Sequence, residues 1–156
     1  KQTTVMVMAS TVHDFSRSKK YGKPTKFRFV KMIVVNNLKG HTVGEKVSEN
    51  ITYDSVVKTD NYSSYSKIRD KVWCHIPQKL SPKEAGKVLP WVHTMIANAK
   101  RTLLGVHHMI STKYAQNYLD EFCYKVNRRY FGEQLFDRLL IACVTTNYEN
   151  IITHNR

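Results

Sequence analysis

The spacing of the apolar residues changes once along this chain, and that change constrains the fold more than any other feature. Up to about residue 76, β-branched and aromatic residues come in short runs, at 3–12, 26–37, 55–60 and 72–76, which is typical of strands. From Leu89 onward the apolar residues recur every three or four positions, as in helices. Strands followed by helices, with one helical pattern between the second and third runs, predict a single α/β domain.

The first half carries three local predictions. The first two runs are expected to pair as a hairpin, with Phe27 and Phe29 on one face of the second strand. Residues 41–51 are expected to form a short helix, with Thr42 as its N-cap and Glu45 completing a capping box. A further short helix is predicted at 61–69.

The second half predicts three helices. Pro90 suits the first turn of the first helix, and Gly105 is expected to end it. Its inner stripe consists of Val92, Met95, Ile96, Ala99 and Leu103. The inner face of the second consists of Tyr118, Leu119, Phe122, Cys123 and Val126. The third is predicted at 135–146.

The net charge narrows the function classes. The 156 residues carry 25 Lys and Arg against 12 acids, a formal charge of +13, which favours a polyanionic partner, usually nucleic acid. A merely basic soluble protein is the plainer alternative. An anionic membrane is less favoured, because the cations are spread along the chain and no run approaches the ~20 apolar residues of a span.

The three cysteines indicate a reducing compartment. Cys74, Cys123 and Cys143 are an odd number without close pairing, which fits the cytoplasm. Cys123 and Cys143 are predicted to be small core residues. Cys74 and His75 are adjacent but have no CxxC or HxxxH partner, which argues against zinc.

One strand ends on a carboxylate. In VVKTDNYSSY, Val56 to Tyr65, the apolar run stops at Asp60 and a turn follows. Asp is a common strand terminator and N-cap, which is one explanation. The other is chemical, since ligands of α/β sheets bind at the carboxyl ends of the strands.

Three segments, TDNYSSY, WVHTMIANAKRTLLGVHHMIS and YLDEFCYKVNRRYFGEQLFDRLLIACV, resemble the DDE-type transposases of bacterial insertion sequences, and most closely their ISXO2-like group. The likeness spans almost the whole chain and is strongest from Ser55 to Val144. It implies a ribonuclease-H-like fold, a mixed sheet flanked by helices. It also implies three catalytic side chains that hold two Mg²⁺ or Mn²⁺ ions for phosphoryl transfer at insertion-sequence ends.

The resemblance assigns one of the two catalytic Asp positions to this chain and leaves the other without a match. Asp60 matches the family's second Asp. The first Asp lies on a strand that precedes this chain's first strand in the family, and Asp14 does not replace it because it follows that strand in a basic loop. We therefore expect an N-terminally truncated or decayed copy, inactive alone, with unpaired strand edges that are rearranged, exchanged or covered by dimerisation.

The third catalytic position stays open between two residues. Alignment on Gly105 and on Lys100-Arg101 places His93 where many relatives carry Glu. Other members of the group use Asn there, which points to Asn98. His93 and Lys100 share a helix face, whereas Asn98 lies on the opposite flank of the apolar stripe. This geometry favours His93.

Several cations are candidates for DNA contact, each with a plainer explanation as a solvated or helix-capping residue. They are Lys100, Arg101, His107, His108, Arg128, Arg129 and, in the basic loop, Arg17, Lys19 and Lys20. The expected partners are the terminal repeats and target DNA, in a homo-oligomer of the bacterial cytoplasm. The alternative function is an inactive nucleic-acid-binding remnant of such a transposase.

Overall fold

The order of strands and helices agrees with the sequence pattern. The computed structural model describes residues 3–13, 25–79, 88–107 and 110–145. The strands are β1 (Val5–His13), β2 (Thr25–Val34), β3 (Val56–Asp60) and β4 (Cys74–Gln78). The helices are α1 (Gly40–Asn50), α2 (Pro90–Val106), α3 (Ala115–Arg128) and α4 (Gln134–Thr145). Short 3₁₀ helices span Ser63–Ile68, Thr112–Tyr114 and Arg129–Phe131. The predicted α/β class is confirmed.

The strands form two small sheets. β1 and β2 pair antiparallel, which confirms the predicted hairpin, and β3 and β4 pair in parallel. Within the described ranges, no strand joins the two pairs into the mixed sheet that the resemblance implies. One edge of β1 and one edge of β3 are therefore without a strand partner there.

A β-bulge interrupts the hairpin. Ser10 pairs with Phe29 and Thr11 pairs with Phe27, so Arg28 is an extra residue in β2. Because one extra residue reverses the alternation of side chains, Phe27 and Phe29 point to opposite faces. Phe27 is 1% exposed and Phe29 is 51% exposed. The prediction that both lie on one face was wrong, since alternation alone does not reveal a bulge.

The larger core lies between the hairpin and the two helices α2 and α3. The predicted stripes are confirmed there, with Met95 and Ala99 buried from α2, and Leu119 and Phe122 buried from α3. The remaining buried members are Phe27, Val30, Met32 and Cys123. Burying each of the Phe, Val, Met and Leu side chains of this core stabilises the fold by roughly 1.5–3 kcal/mol.

Helix α3 also closes the outer edge of β2 with two side-chain amides. Asn127 accepts a hydrogen bond from the Val30 N–H at 2.7 Å and donates one to the Val30 carbonyl at 2.9 Å. Gln116 accepts from the Val34 N–H at 2.8 Å and donates to the Met32 carbonyl at 3.1 Å. These amides satisfy backbone groups that a neighbouring strand would otherwise pair.

A second, smaller core holds α1 and the Ser63–Ile68 turn against the strands. Val43, Val47, Ile68 and Val72 are buried in it, and Met6 of β1 and Val57 of β3 pack against it. Both sheets thus contribute to one cluster, although they share no backbone hydrogen bonds.

The start of α1 differs from the prediction. Lys39 is its N-cap, and no side chain caps it. The Thr42 hydroxyl instead donates to Asn37 Oδ1 at 2.9 Å, and Glu45 lies 3.4 Å from His41 Nδ1. The capping box was wrong because the helix begins at Gly40, three residues earlier than the Thr42 N-cap requires, so Thr42 lies inside the first turn.

Helix α2 likewise runs one residue past Gly105, to Val106, with His107 as its C-cap. The expected glycine stop was wrong because the helix continues through Gly105, whose φ is not positive; the described glycine with positive φ is Gly132.

Helix α4 lies on the surface. Phe136, Leu139, Leu140, Ile141 and Val144 are all more than 40% exposed, and Cys143 is exposed as well. The core position predicted for Cys143 was wrong, because α4 has no buried residue. Cys123 is buried as predicted. No helix in the described part of the chain is long and apolar enough to span a bilayer.

Candidate active site

Asp60 ends β3 as the sequence predicted, and its side chain is exposed. Its register partner at the end of β4 is Gln78. Because paired residues of neighbouring strands project to the same face, the two side chains share one face of this sheet. The Gln78 Oε1 atom is buried and has no hydrogen-bond partner among the residues that the structure describes. An unpaired buried oxygen costs about 1–3 kcal/mol, so this end of the sheet holds an acceptor able to receive a donor or a cation.

Two tyrosines of the following turn lie near the carboxylate. The rings of Tyr62 and Tyr65 meet edge to face with centroids 6.4 Å apart. Burial raises the pKa of the Tyr65 phenol, and the negative charges of Asp60 and Tyr62 add to this effect. Tyr65 therefore remains a protonated hydrogen-bond donor beside the end of β3.

The opposite face of the same sheet carries a polar pair. Thr59 is buried, and its Oγ1 lies 2.9 Å from His75 Nε2 of β4. Burial lowers the pKa of His75, and the positive charge of Arg69 lowers it further. The neutral form of the imidazole is thus favoured on the face of the sheet opposite to Asp60.

This pair predicts an acid-sensitive fold. As pH falls, the unfolded chain binds a proton at His75 near its ordinary pKa of about 6.5, before the folded chain does. The stabilisation is therefore complete above that pH and is lost as pH falls through the lower folded pKa. Urea unfolding at pH 7.5 and 5.5 should show a loss of stability that is smaller in His75→Gln.

His41→Gln is the matched control, because the His41 side chain is 84% exposed on α1. This variant should lose as much stability between pH 7.5 and 5.5 as the unmodified chain does. If His75→Gln and His41→Gln reduced the loss of stability between pH 7.5 and 5.5 equally, the acid sensitivity could not be assigned to His75.

The two candidates for the third catalytic position lie on α2 in different surroundings. His93 is exposed and Asn98 is half-buried. The helix packs its buried Met95 and Ala99 against the core between them. The described contacts bring neither residue to Asp60, so the choice between them stays a prediction.

The basic residues of α2 face solvent. Lys100 and Arg101 are exposed, and neither forms an ion pair with a described carboxylate. His107 caps the helix, donating its N–H to the Leu103 carbonyl at 2.9 Å, and its ring lies 4.3 Å from that of Tyr118. Lys100 and Arg101 are thus free to meet phosphate, while His107 also has a packing role.

The arginine pair at the end of α3 is engaged within the protein. Arg128 lies over the ring of Tyr124 at 3.7 Å. Arg129 donates to the Val126 carbonyl at 3.0 Å and lies 4.6 Å from the Phe27 ring centroid. These contacts give both arginines a structural role at the helix end. His108, Arg17, Lys19 and Lys20 lie outside the described residues.

The described residues include only part of the ligand set for the metal that the resemblance implies. Asp60 and the Gln78 oxygen are hard donors of the kind that Mg²⁺ prefers. Among the residues that the structure describes, however, no three His, Cys, Asp or Glu side chains gather where they could hold a metal ion. These residues alone therefore do not fit a two-metal site.

An α/β domain with a carboxylate at a strand end, exposed cations on the following helix and a large positive charge has the features of a protein that acts on nucleic acid. The family model of the ISXO2-like transposase domain matches residues 1–127, and the chain belongs to this family. Searches of curated proteins and of solved structures gave no significant match.

Sequence reasoning missed several residues that shape the site and its surroundings. Gln78 was missed because the fourth strand was expected to end at residue 76, two residues before its observed end. Asn127 stood within the NRR segment, but its use as a backbone clamp could not be seen without the position of β2. Arg28 and Phe29 gave a signal in the segment KFRF, where two aromatic residues alternate with cations.

Proposed function

We propose that this chain is part of the catalytic core of a DNA transposase and that Asp60 is one of its metal-binding carboxylates. The observation that carries the proposal is the position of Asp60 at the carboxyl end of a parallel strand pair in a transposase-family domain. The exposed Lys100 and Arg101 support it, because cations of this kind neutralise phosphates along a DNA backbone.

The fold that we propose is ribonuclease-H-like. β1 and β3 each have an edge without a strand partner among the described residues, and both pack side chains on the cluster around Val43. A further strand between them would pair with both edges and form one mixed sheet. Such a strand would also bring a second carboxylate beside Asp60, which is what the present set of ligands lacks.

The chemistry assigned to this site is strand cleavage and transfer at the ends of an insertion sequence. Bound Mg²⁺ or Mn²⁺ would activate the attacking oxygen and stabilise charge on the transferred phosphate. In this chain Asp60 would hold metal, His93 or Asn98 would complete the shell, and Lys100 and Arg101 would position the DNA backbone. The partners are the terminal repeats and target DNA, bound by a homo-oligomer.

One observation favours a second candidate function. Because the described residues bring no three metal ligands together, the chain would serve as a nucleic-acid-binding remnant if nothing completes the site. In that case the basic surface and the fold are retained without the chemistry.

Calorimetric titration with Mn²⁺ tests the proposal. We expect weak binding to the unmodified chain and at least a tenfold loss of affinity in Asp60→Asn. Asp54→Asn is the matched control, because Asp54 is also exposed but precedes the same strand at its opposite end; its affinity should be unchanged. Absence of binding in all three proteins would favour the remnant, and equal losses in both variants would overturn the assignment of Asp60.

A further inference from the structure

The far end of the β1–β2 hairpin carries an exposed surface that the proposed catalysis does not use. Its members are Val12, Lys26, Arg28, Phe29 and Lys31, which we name the hairpin face. Val12 pairs with Lys26, Ser10 with Phe29 and Met8 with Lys31, so these side chains project opposite to the buried Phe27 and Val30. At the start of β1 the same face of the sheet is covered, because Met6 packs against the cluster that includes Val43 and Val47 of α1.

The bulge gives this face its composition. Without the extra residue, Phe29 would follow Phe27 into the core, and the face would lack an aromatic ring. With it, Phe29 is 51% exposed, and the Arg28 guanidinium lies 5.6 Å from the Phe29 ring centroid. One ring is thus supported by a cation on one side and accessible to solvent on the other.

The charge of the hairpin face is of one sign. β1 and β2 contain no Asp or Glu, and the ion pairs found among the described residues do not involve Lys26, Arg28 or Lys31. Lys26 and Lys31 are five residues apart, about 16 Å along a strand. The face therefore offers three cations, with an aromatic ring between them, to a negatively charged and partly apolar partner.

From these features we infer that the hairpin face binds single-stranded DNA, with a base stacked on Phe29 and phosphates against Lys26, Arg28 and Lys31. Stacking on an aromatic ring requires a base whose face is uncovered, which an unpaired strand offers and a duplex does not. Sheets that present aromatic residues recognise single strands in this way. The inference rests on the proposed function only in taking DNA as the partner, and it is independent of metal and of Asp60.

Fluorescence anisotropy with a labelled oligo-thymidine, in EDTA, tests the inference on the full chain. Stacking contributes about 1–3 kcal/mol per base, so Phe29→Leu should weaken binding about tenfold, and Phe29→Trp should retain it. Phe136→Leu is the matched control, because Phe136 is 65% exposed on α4, and it should leave the affinity unchanged. Arg28→Gln should lower the slope of log affinity against log salt by about 0.7, the value for one phosphate contact on a single strand.

Three outcomes would overturn the inference. One is an equal effect of Phe29→Leu and Phe136→Leu. Another is that Phe29→Leu lowers the affinity for a DNA hairpin duplex of the same length by the same factor. The bases of a duplex are not open to stacking, so Phe29 would then act as part of a ribbon lying in a groove. The last is Phe29-dependent binding of poly-glutamate, which would identify an acidic protein as the partner. Failure of this test would leave the Mn²⁺ titration of Asp60 unaffected.

Discussion

Phe27→Ala should lower the free energy of unfolding by about 3–5 kcal/mol, the range for truncating a buried phenylalanine. The ring is 1% exposed, and its centroid lies 5.7 Å from that of Trp91 on α2. The Arg129 guanidinium contacts it from the end of α3. Truncation therefore leaves a cavity where the hairpin and both helices meet. Urea unfolding followed by circular dichroism measures the loss.

Phe29→Ala provides the matched control for Phe27→Ala. The same truncation two residues away should change stability by less than about 0.5 kcal/mol, as at exposed positions generally. The contrast depends on the bulge at Arg28, because a regular strand would bury both rings or neither. Similar losses at the two positions would contradict the bulged register of the β1–β2 pair. If Phe27→Ala does not fold, Phe27→Leu, which leaves a smaller cavity, replaces it in the comparison.

The Phe27 contacts also connect stability with function. α2 carries His93, Asn98, Lys100 and Arg101, and the hairpin carries the surface around Phe29. Trp91 of α2 and the backbone of β2 meet at Phe27. The two candidate DNA-contacting surfaces are thus packed against the same core, to which Phe27 belongs, so a loosened core should weaken DNA binding at both.

What the sequence predicted correctly depends on repeated, local patterns. The stripe that includes Met95 and Ala99 recurs over about three turns, so a single misjudged residue could not obscure it. The strand that ends at Asp60 contains adjacent β-branched residues and is followed by a turn. These two local signals predicted its end correctly. The resemblance to transposases added the family, which the match over residues 1–127 confirmed.

The errors share a different cause. Phe29, Thr42 and Cys143 were each assigned from a local pattern, but their positions depend on parts of the chain outside that pattern. A bulge depends on how two strands align, the start of α1 depends on the turn before it, and the burial of α4 depends on whether another element covers it. Such tertiary effects override local preferences. The split into two sheets is of the same kind, since strand pairing depends on which strands are present.

Asn127→Leu should lower the free energy of unfolding by about 2–4 kcal/mol. The Asn127 amide satisfies both the N–H and the carbonyl of Val30, and each backbone group left without a partner costs about 1–3 kcal/mol. Asn117→Leu on the same helix is the control, because Asn117 is exposed and should contribute little. Equal losses would show that the cost does not come from the amide clamp, since Leu is a better helix former than Asn at both positions.

The same variant should change self-association as well as stability. In the native chain Asn127 and Gln116 occupy the outer edge of β2, so among the described strands the edges open to pairing include those of β1 and β3. Leu at position 127 frees the Val30 backbone groups on an edge next to exposed apolar residues, which favours strand addition between molecules. Sedimentation velocity should then show concentration-dependent association in Asn127→Leu beyond that of Asn117→Leu. If the two variants associate alike, the β2 edge is not kept closed by Asn127, and pairing at β1 and β3 is no longer favoured over pairing at β2.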